Sequence, residues 1–202
     1  MSVTVPGPDG RPRCGWCAAA PEFFHYHDTE WGFPVDDDRR LFEKLCLEGF
    51  QSGLSWRTIL AKRENFRAAF LYFDYHRLAA FDEHDVARLL QDPGIVRHRG
   101  KIEAAIHNAR MAQALVQREG SLAAFVWRYE APAPPVPQTR STSPESVALS
   151  KALKARGWKF VGPTTVYAFM QAMGLVNDHA EDCVVRVQVA RARKRFRPPI
   201  TG

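Results

Sequence analysis

The stretch SPESVALSKALKARGWKFVGPTTVYAFMQAMG, from Ser143 to Gly174, decides the fold class. Ser143-Pro144 is a good N-cap and N1 pair: the serine oxygen accepts from an orphan N–H, and proline sits where its missing N–H costs nothing. The helix they open is expected to run to Gly157. Gly157-Trp-Lys-Phe-Val-Gly162 then turns the chain, and Pro163 opens a second helix ending at Gly174. This is a helix–hairpin–helix arrangement. Gly162 lets the backbone approach a ligand closely, and the next helix begins with unpaired N–H groups and its positive dipole end. Those features suit a DNA phosphate, although an ordinary tight turn between packed helices would use the same residues. Arg97-His98-Arg99-Gly100-Lys101 is a second basic turn at a helix start, able to face phosphate or plain solvent. The candidate backbone-contacting residues are therefore Gly162, Lys159, Arg97, Arg99 and Lys101.

Outward from that stretch the pattern stays helical, with little sign of a sheet. Asp36-Asp37-Asp38 supplies cap and first-turn acids for a helix from about Arg39, whose stripe includes Leu41, Leu45 and Glu48. Ser52 and Trp56 fall at the next four-residue steps if that helix continues. A second helix is expected to hold Ile59, Phe66 and Phe70. Asp82 caps a third, with Val86, Leu89 and Leu90, ended by Asp92-Pro93-Gly94. Ile102, Ile106 and Ala109 mark a fourth that Gly120 stops, and Ser121 caps a short one through Phe125 and Tyr129. Ala131-Pro-Ala-Pro-Pro-Val-Pro137 and the polar run to Ser143 cannot be regular helix, and read as a long connection across a helical body.

Composition narrows the function classes. The 202 residues are 46% hydrophobic and 11% aromatic, a globular balance. No segment approaches the roughly 20 apolar residues that span a bilayer, which argues against a membrane partner. The N-terminus lacks an apolar signal core, so a cytoplasmic protein is expected. There, the four cysteines favour free thiols or metal ligation over disulfides. A net charge of +6 and a pI near 9.4 suggest a polyanionic partner. Part of that charge lies in Arg191-Ala-Arg-Lys-Arg-Phe-Arg197, which also fits a solvated, disordered end.

Two constellations carry chemistry. Cys14 and His27 lie near one end of the chain, and His179 and Cys183 near the other. Two cysteines and two histidines make a closed tetrahedral zinc set of structural type. His179 and Cys183 would project from one face of a helical turn. Taken alone the four residues could also be unrelated, or Cys14 could form a redox pair with Cys17, since neither half has a zinc-finger spacing. The second constellation is Glu48 on an apolar stripe. A carboxylate there costs several kcal/mol unless paired, so it either meets a structural Lys or Arg or receives a ligand bearing donors or positive charge. Tyr26, Trp31 and Trp56 could wall a flat ligand.

These residues resemble the type I 3-methyladenine DNA glycosylases of bacterial base-excision repair. The resemblance runs from Arg13 to Cys183 through Arg13-Cys14-Gly-Trp16, Tyr26-His-Asp-Thr-Glu-Trp31-Gly32, Leu45-Cys-Leu-Glu48-Gly and Gly53-Leu-Ser-Trp56. It continues through Ile95-Val-Arg-His-Arg-Gly-Lys101, Lys159-Phe-Val-Gly-Pro-Thr164 and Gly174-Leu-Val-Asn-Asp-His179. It implies an all-α, helix–hairpin–helix glycosylase fold in which one structural zinc, held by Cys14, His27, His179 and Cys183, clasps the terminal segments. It implies Glu48 as the catalytic, base-recognising carboxylate, with Tyr26, Trp31 and Trp56 as pocket aromatics, and Cys17 as a spare thiol. The implied layout is an extension over 1–12, a helical domain over 13–184 with its connection at 131–143, and a basic tail over 185–202.

The implied reaction is monofunctional excision of 3-methyladenine from alkylated double-stranded DNA by a monomer. The lesion is cationic before cleavage, and stacking on Trp56 and Tyr26 would favour it over neutral adenine. Water is the expected nucleophile, no lysine being placed as a Schiff-base former, and Asp178 is assigned no catalytic role. The rival readings are a zinc-clasped DNA-binding module, a related glycosylase for 3-methylguanine or a deaminated purine, and a zinc enzyme proper. Four protein ligands leave the last no open position.

Overall fold

The computed structural model describes residues 3–199. It opens with a small antiparallel hairpin, β1 (Thr4–Pro6) and β2 (Pro12–Cys14), with Thr4 opposite Cys14. The sequence carries little sign of this sheet because strands of three residues are too short to show alternation. The extension is thus paired to the segment that carries Cys14.

The helices follow from their caps. After a 3-10 turn come α1 (Glu22–Thr29) and α2 (Asp38–Gln51); Asp37 caps α2 by accepting from the Arg40 N–H at 2.8 Å. Next are α3 (Trp56–Ala61), capped by Ser55, and α4 (Arg63–Ala69). The expected single helix through Ile59, Phe66 and Phe70 is therefore two, broken at Lys62, with Phe70 just past the end. Trp56 is not a further turn of α2 either, since that helix stops before Ser52. The sequence continues with α5 (Tyr75–Leu78), α6 (Glu83–Gln91), α7 (Arg99–Glu119) and α8 (Leu122–Val126). Asp82 and Asp85 form a capping box on α6. Residues 131–143 contain no helix or strand. Then come α9 (Pro144–Ala155), α10 (Pro163–Ala172) and α11 (Val184–Arg195).

Helix α2 is the axis of the molecule. Every residue from Leu41 to Phe50 is buried, with α10 on one flank, α7 and α8 on another, and α3 beyond its end. A helix buried all round is normally apolar all round. This one carries Glu43, Lys44 and Glu48 inside, so each charge needs a partner. Glu43 pairs with Arg67 at 2.8 Å and Lys44 with Glu48 at 2.7 Å. At the other end the Asp38 carboxylate accepts from the Leu122 and Ala123 N–H groups at 3.0 and 2.8 Å, and so caps α8 from across the core.

Lys101 departs from the sequence expectation. Its side chain is buried, and its ammonium donates to the carbonyls of Phe50, at 2.9 Å, and Ser52. It caps the C-terminus of α2, where orphan carbonyls attract a cation, and that engagement removes it from the phosphate-facing set. The basic end of the chain is not a solvated coil over its whole length. Helix α11 runs to Arg195 with Val185 and Val189 buried, and Arg193 donates to the carbonyls of Gly174 and Ala131 and to Glu130.

Two consequences are measurable by denaturant unfolding. Gly174 has φ +80° and a Cβ there would lie 2.5 Å from the Pro34 nitrogen. Gly174→Ala is expected to lower the unfolding free energy by about 1–3 kcal/mol. Lys101→Met strips the caps from two carbonyls and is expected to cost about 1–3 kcal/mol.

Candidate active site

Helix α1, the middle of α2 and the start of α3 converge on a cavity of about 420 Å³, within the size range of small-molecule sites. Tyr26, Trp31, Glu48 and Trp56 all line it, so the four residues singled out in the sequence meet. Tyr26 and Trp56 lie 5.4 Å apart between ring centroids, tilted by 42°. Trp31 is buried, its ring edge-on to Trp16 at 5.3 Å and to His179 at 4.6 Å. The indole Nε1 of Trp56 is buried without a hydrogen-bond partner among the described residues, a free donor in the wall.

The sequence reading did not include Lys44 in the site. Its ammonium is 2.7 Å from a Glu48 carboxylate oxygen, donates to the Tyr26 hydroxyl at 3.0 Å and lies 3.3 Å from the centroid of the Trp56 ring. Both charged side chains are 6% exposed. Of the two explanations weighed for Glu48, the structural ion pair is present, and it stands inside the candidate pocket. The detectable signal was spacing: Lys44 and Glu48 are four residues apart on one helix and must share a face. Burial lowers the pKa of Lys44 against the opposing pull of Glu48. Burial first, and Glu48 second, raise that of the Tyr26 phenol.

Further lining residues escaped the sequence reading because nothing local marks them. Trp16 comes from the turn before α1, Gln138 and Arg140 from the connection over 131–143, and Gln171 from α10. Asp178 ties these parts together. It accepts from the Gln138 backbone N–H at 2.8 Å, the Gln171 amide at 2.6 Å and the Tyr167 hydroxyl at 3.4 Å. Its carboxyl is raised chiefly by burial. Asp178 thus anchors the connection over the cavity, a role set by hydrogen bonds.

Behind Trp31 lies the Cys/His group. The donor atoms of Cys14, His27 and Cys183 fall within 4.8 Å of one another and all three residues are buried, a set that could hold a metal ion. Cys183 Sγ is 3.5 Å from His27 Nε2. His27 Nδ1 faces Asp28 at 2.7 Å, and Arg13 holds that carboxylate at 2.8 Å, so Nε2 is the nitrogen turned to the thiols. Donation from Cys14, and then from His27, favours the Cys183 thiolate, while Cys183 raises Cys14 in turn. His179 stands outside this three-donor group but beside it, its ring 4.9 Å from that of His27. Its Nδ1 lies 3.0 Å from Asn177 Oδ1, and its buried Nε2 has no partner among the described residues. Burial pushes its pKa down to about 3, leaving a neutral imidazole. The helical turn expected to join His179 and Cys183 is absent: residues 177–183 are irregular and α11 begins only at Val184. Cys17 is buried and free.

The basic candidates divide by environment. Arg97 and Lys159 are exposed, and Arg99 is exposed but paired with Glu83 at 2.7 Å and Glu103 at 3.2 Å. Asn108 fixes the Lys159 backbone, accepting from its N–H at 2.8 Å and donating to its carbonyl at 2.9 Å. Phe160 beside it adopts φ +55°. A side chain at Gly162 would meet nothing within 4 Å, and Val166 is the first residue of α10 whose N–H reaches a carbonyl, that of Gly162.

Comparison with known proteins points to one family. A family model described as methyladenine glycosylase matches residues 16–187. DNA-3-methyladenine glycosylase 1 of Escherichia coli K12 is 54% identical over 177 residues, 85% of this chain and 95% of that protein. A crystal structure of 3-methyladenine DNA glycosylase I superposes with a TM-score of 0.81 at 53% identity, over 85% of this chain and 98% of that one. Another, a variant of 3-methyladenine DNA glycosylase I in complex with 3-methyladenine, superposes with a TM-score of 0.82 at 36% identity, over 86% and 97%. With its fold and most of its length in common with these proteins, the chain belongs to the methyladenine glycosylase family.

Proposed function

We propose that the cavity lined by Tyr26, Trp31, Glu48 and Trp56 receives an N3-methylated adenine turned out of double-stranded DNA. The activity is that of the family, excision of 3-methyladenine, which initiates base-excision repair. The observation that carries the assignment is Glu48: a carboxylate 6% exposed on a helix buried all round, at the wall of an aromatic cavity.

Flipping costs a few kcal/mol of unstacking, least for a damaged base. Once inside, the base stacks on aromatic faces, and Glu48, acceptor-only when ionised, takes hydrogen bonds from donors on its edge. Cleavage breaks the bond between C1′ and the base nitrogen. The electron pair goes to the ring, so the cationic base leaves neutral, and water supplies the oxygen that forms the new bond at C1′ and gives up a proton. Water being the nucleophile, no lysine forms a bond to the sugar in this scheme, and the product is an abasic site in an unbroken strand. The hairpin between α9 and α10, with Gly162, Lys159, Arg97 and Arg99, would hold the duplex by its phosphates, giving affinity without sequence information.

Cys14, His27 and Cys183, with the free Nε2 of His179, fit one zinc ion. Such a four-ligand set supplies structural fastening and no open position for chemistry. The protein acts as a monomer in the cytoplasm on this reading. In keeping with that, no helix among the described residues is long and apolar enough to cross a membrane.

Release of free base from methylated DNA tests the pocket. Glu48→Gln is expected to lower release at least about tenfold, the loss of one charge-assisted hydrogen bond of roughly 1.5–3 kcal/mol. Undiminished release by the folded variant would remove Glu48 from the centre. Purified protein is expected to carry about one zinc per chain. Chelation should lower its melting temperature while release per folded molecule persists; no bound metal, or no thermal effect of chelation, would sink the zinc assignment.

A further inference from the structure

We propose that Lys44 is a specificity-determining residue: its ammonium occupies the cation seat of the base pocket, and a base enters by displacing it. This rests on the pocket being the base site. The observation is a coincidence of three contacts. One ammonium lies 3.3 Å from the Trp56 ring centroid, 2.7 Å from the Glu48 carboxylate and 3.0 Å from the Tyr26 hydroxyl. These are the groups that would stack on, neutralise and hydrogen-bond an alkylated purine.

Occupancy is mutually exclusive on that face. Atoms in van der Waals contact with a ring sit at about 3.5–4.0 Å, so a base stacked on this side of Trp56 would lie in the plane where Nζ now is. The electrostatics point the same way. With Lys44 in place the buried pair is neutral, and the remaining charged group on the cavity wall, Arg140, is positive. A second cation is therefore not attracted until the first has moved. Lys44 also borders a second cleft of about 30 Å³, where Glu30 and Glu43 are already paired with Arg63 and Arg67 and Arg40 adds a further cation.

A resident cation works as a threshold. Any base that enters must satisfy Glu48 and the Trp56 face better than the ammonium does. A neutral, undamaged adenine brings weaker electrostatics than a methylated, cationic one, so Lys44 holds the pocket against normal nucleotides. The affinity of the lesion is lowered in the same way.

The experiment compares binding of free 3-methyladenine, followed by tryptophan fluorescence, and KM for base release from methylated DNA. It uses the full chain carrying Lys44, Lys44→Met or Lys44→Arg. Removing the charge while keeping the chain length is expected to tighten binding of the free base by roughly tenfold and to lower KM without raising kcat. Lys44→Arg, which keeps a cation, should show neither gain. Lys44→Gln keeps a donor for Glu48 and carries the same test should Lys44→Met fail to fold. Unchanged or weaker base binding in the folded neutral variants would overturn the proposal, and would make Lys44 either part of the ligand contact or a structural pair. Absence of base release by the unaltered protein is a separate outcome, in which the assignment of the pocket fails and this inference falls with it.

Discussion

The N- and C-terminal segments meet at Cys14, His27 and Cys183, immediately behind the wall of the pocket. Two buried thiols and an imidazole within 4.8 Å of one another bring the β hairpin, α1 and the segment before α11 to one point. His27 sits in the last turn of α1, so fixing its ring fixes Tyr26 beside it and, just beyond the helix, Trp31. The edge-on contact of Trp31 with His179 carries that rigidity to the cavity wall. The second sphere is equally built: Arg13 holds Asp28, and Asp28 orients His27. The group where the terminal segments meet therefore also borders the aromatic side of the site.

The other side is set by α2, which passes through the core with charges aboard. Burying a carboxylate and an ammonium together is costly, and their attraction repays the cost only with good geometry and further hydrogen bonds. Here the Tyr26 hydroxyl and the Trp56 face supply those contacts. Stability alone gives weak grounds for such a pair, because a well-packed apolar pair of similar volume is often no less stable. Its position at the wall of the cavity makes function the better explanation. The buried pair on the cavity wall is electrically balanced in the protein alone.

The connection over 131–143 shows how irregular chain can be structural. Its backbone is pinned at one end by the Ala131 N–H donating to the Leu175 carbonyl at 2.8 Å, and proline removes several donors beyond. Asp178 fixes it by accepting from Gln138 and Gln171 at once, and so brings Gln138 and Arg140 to the cavity rim. The same residue could pass for an acid–base group on sequence position alone. Its hydrogen bonds give it a scaffolding task.

Local chemistry was readable from the letters. Caps at Asp37, Asp82, Ser121 and Ser143 and stops at Gly120, Gly157 and Gly174 depend on neighbours in sequence, and they mark the helices correctly. Glu48 was detectable because a charge on an apolar stripe violates the helical pattern. What sequence could not decide was which distant groups meet. The break at Lys62, the capping of α2 by Lys101, the anchoring of α11 by Arg193 and the irregular path from His179 to Cys183 are all settled by long-range packing. Lys44 lies between the two cases. Its spacing to Glu48 was legible, but that the pair is buried and lies against Trp56 was not, because Trp56 belongs to another helix. Side-chain periodicity and capping are nearest-neighbour physics, fixed by the order of residues. Burial and charge partnering depend on the closed tertiary structure, which alone decides whether an ammonium faces water or the ring of a tryptophan.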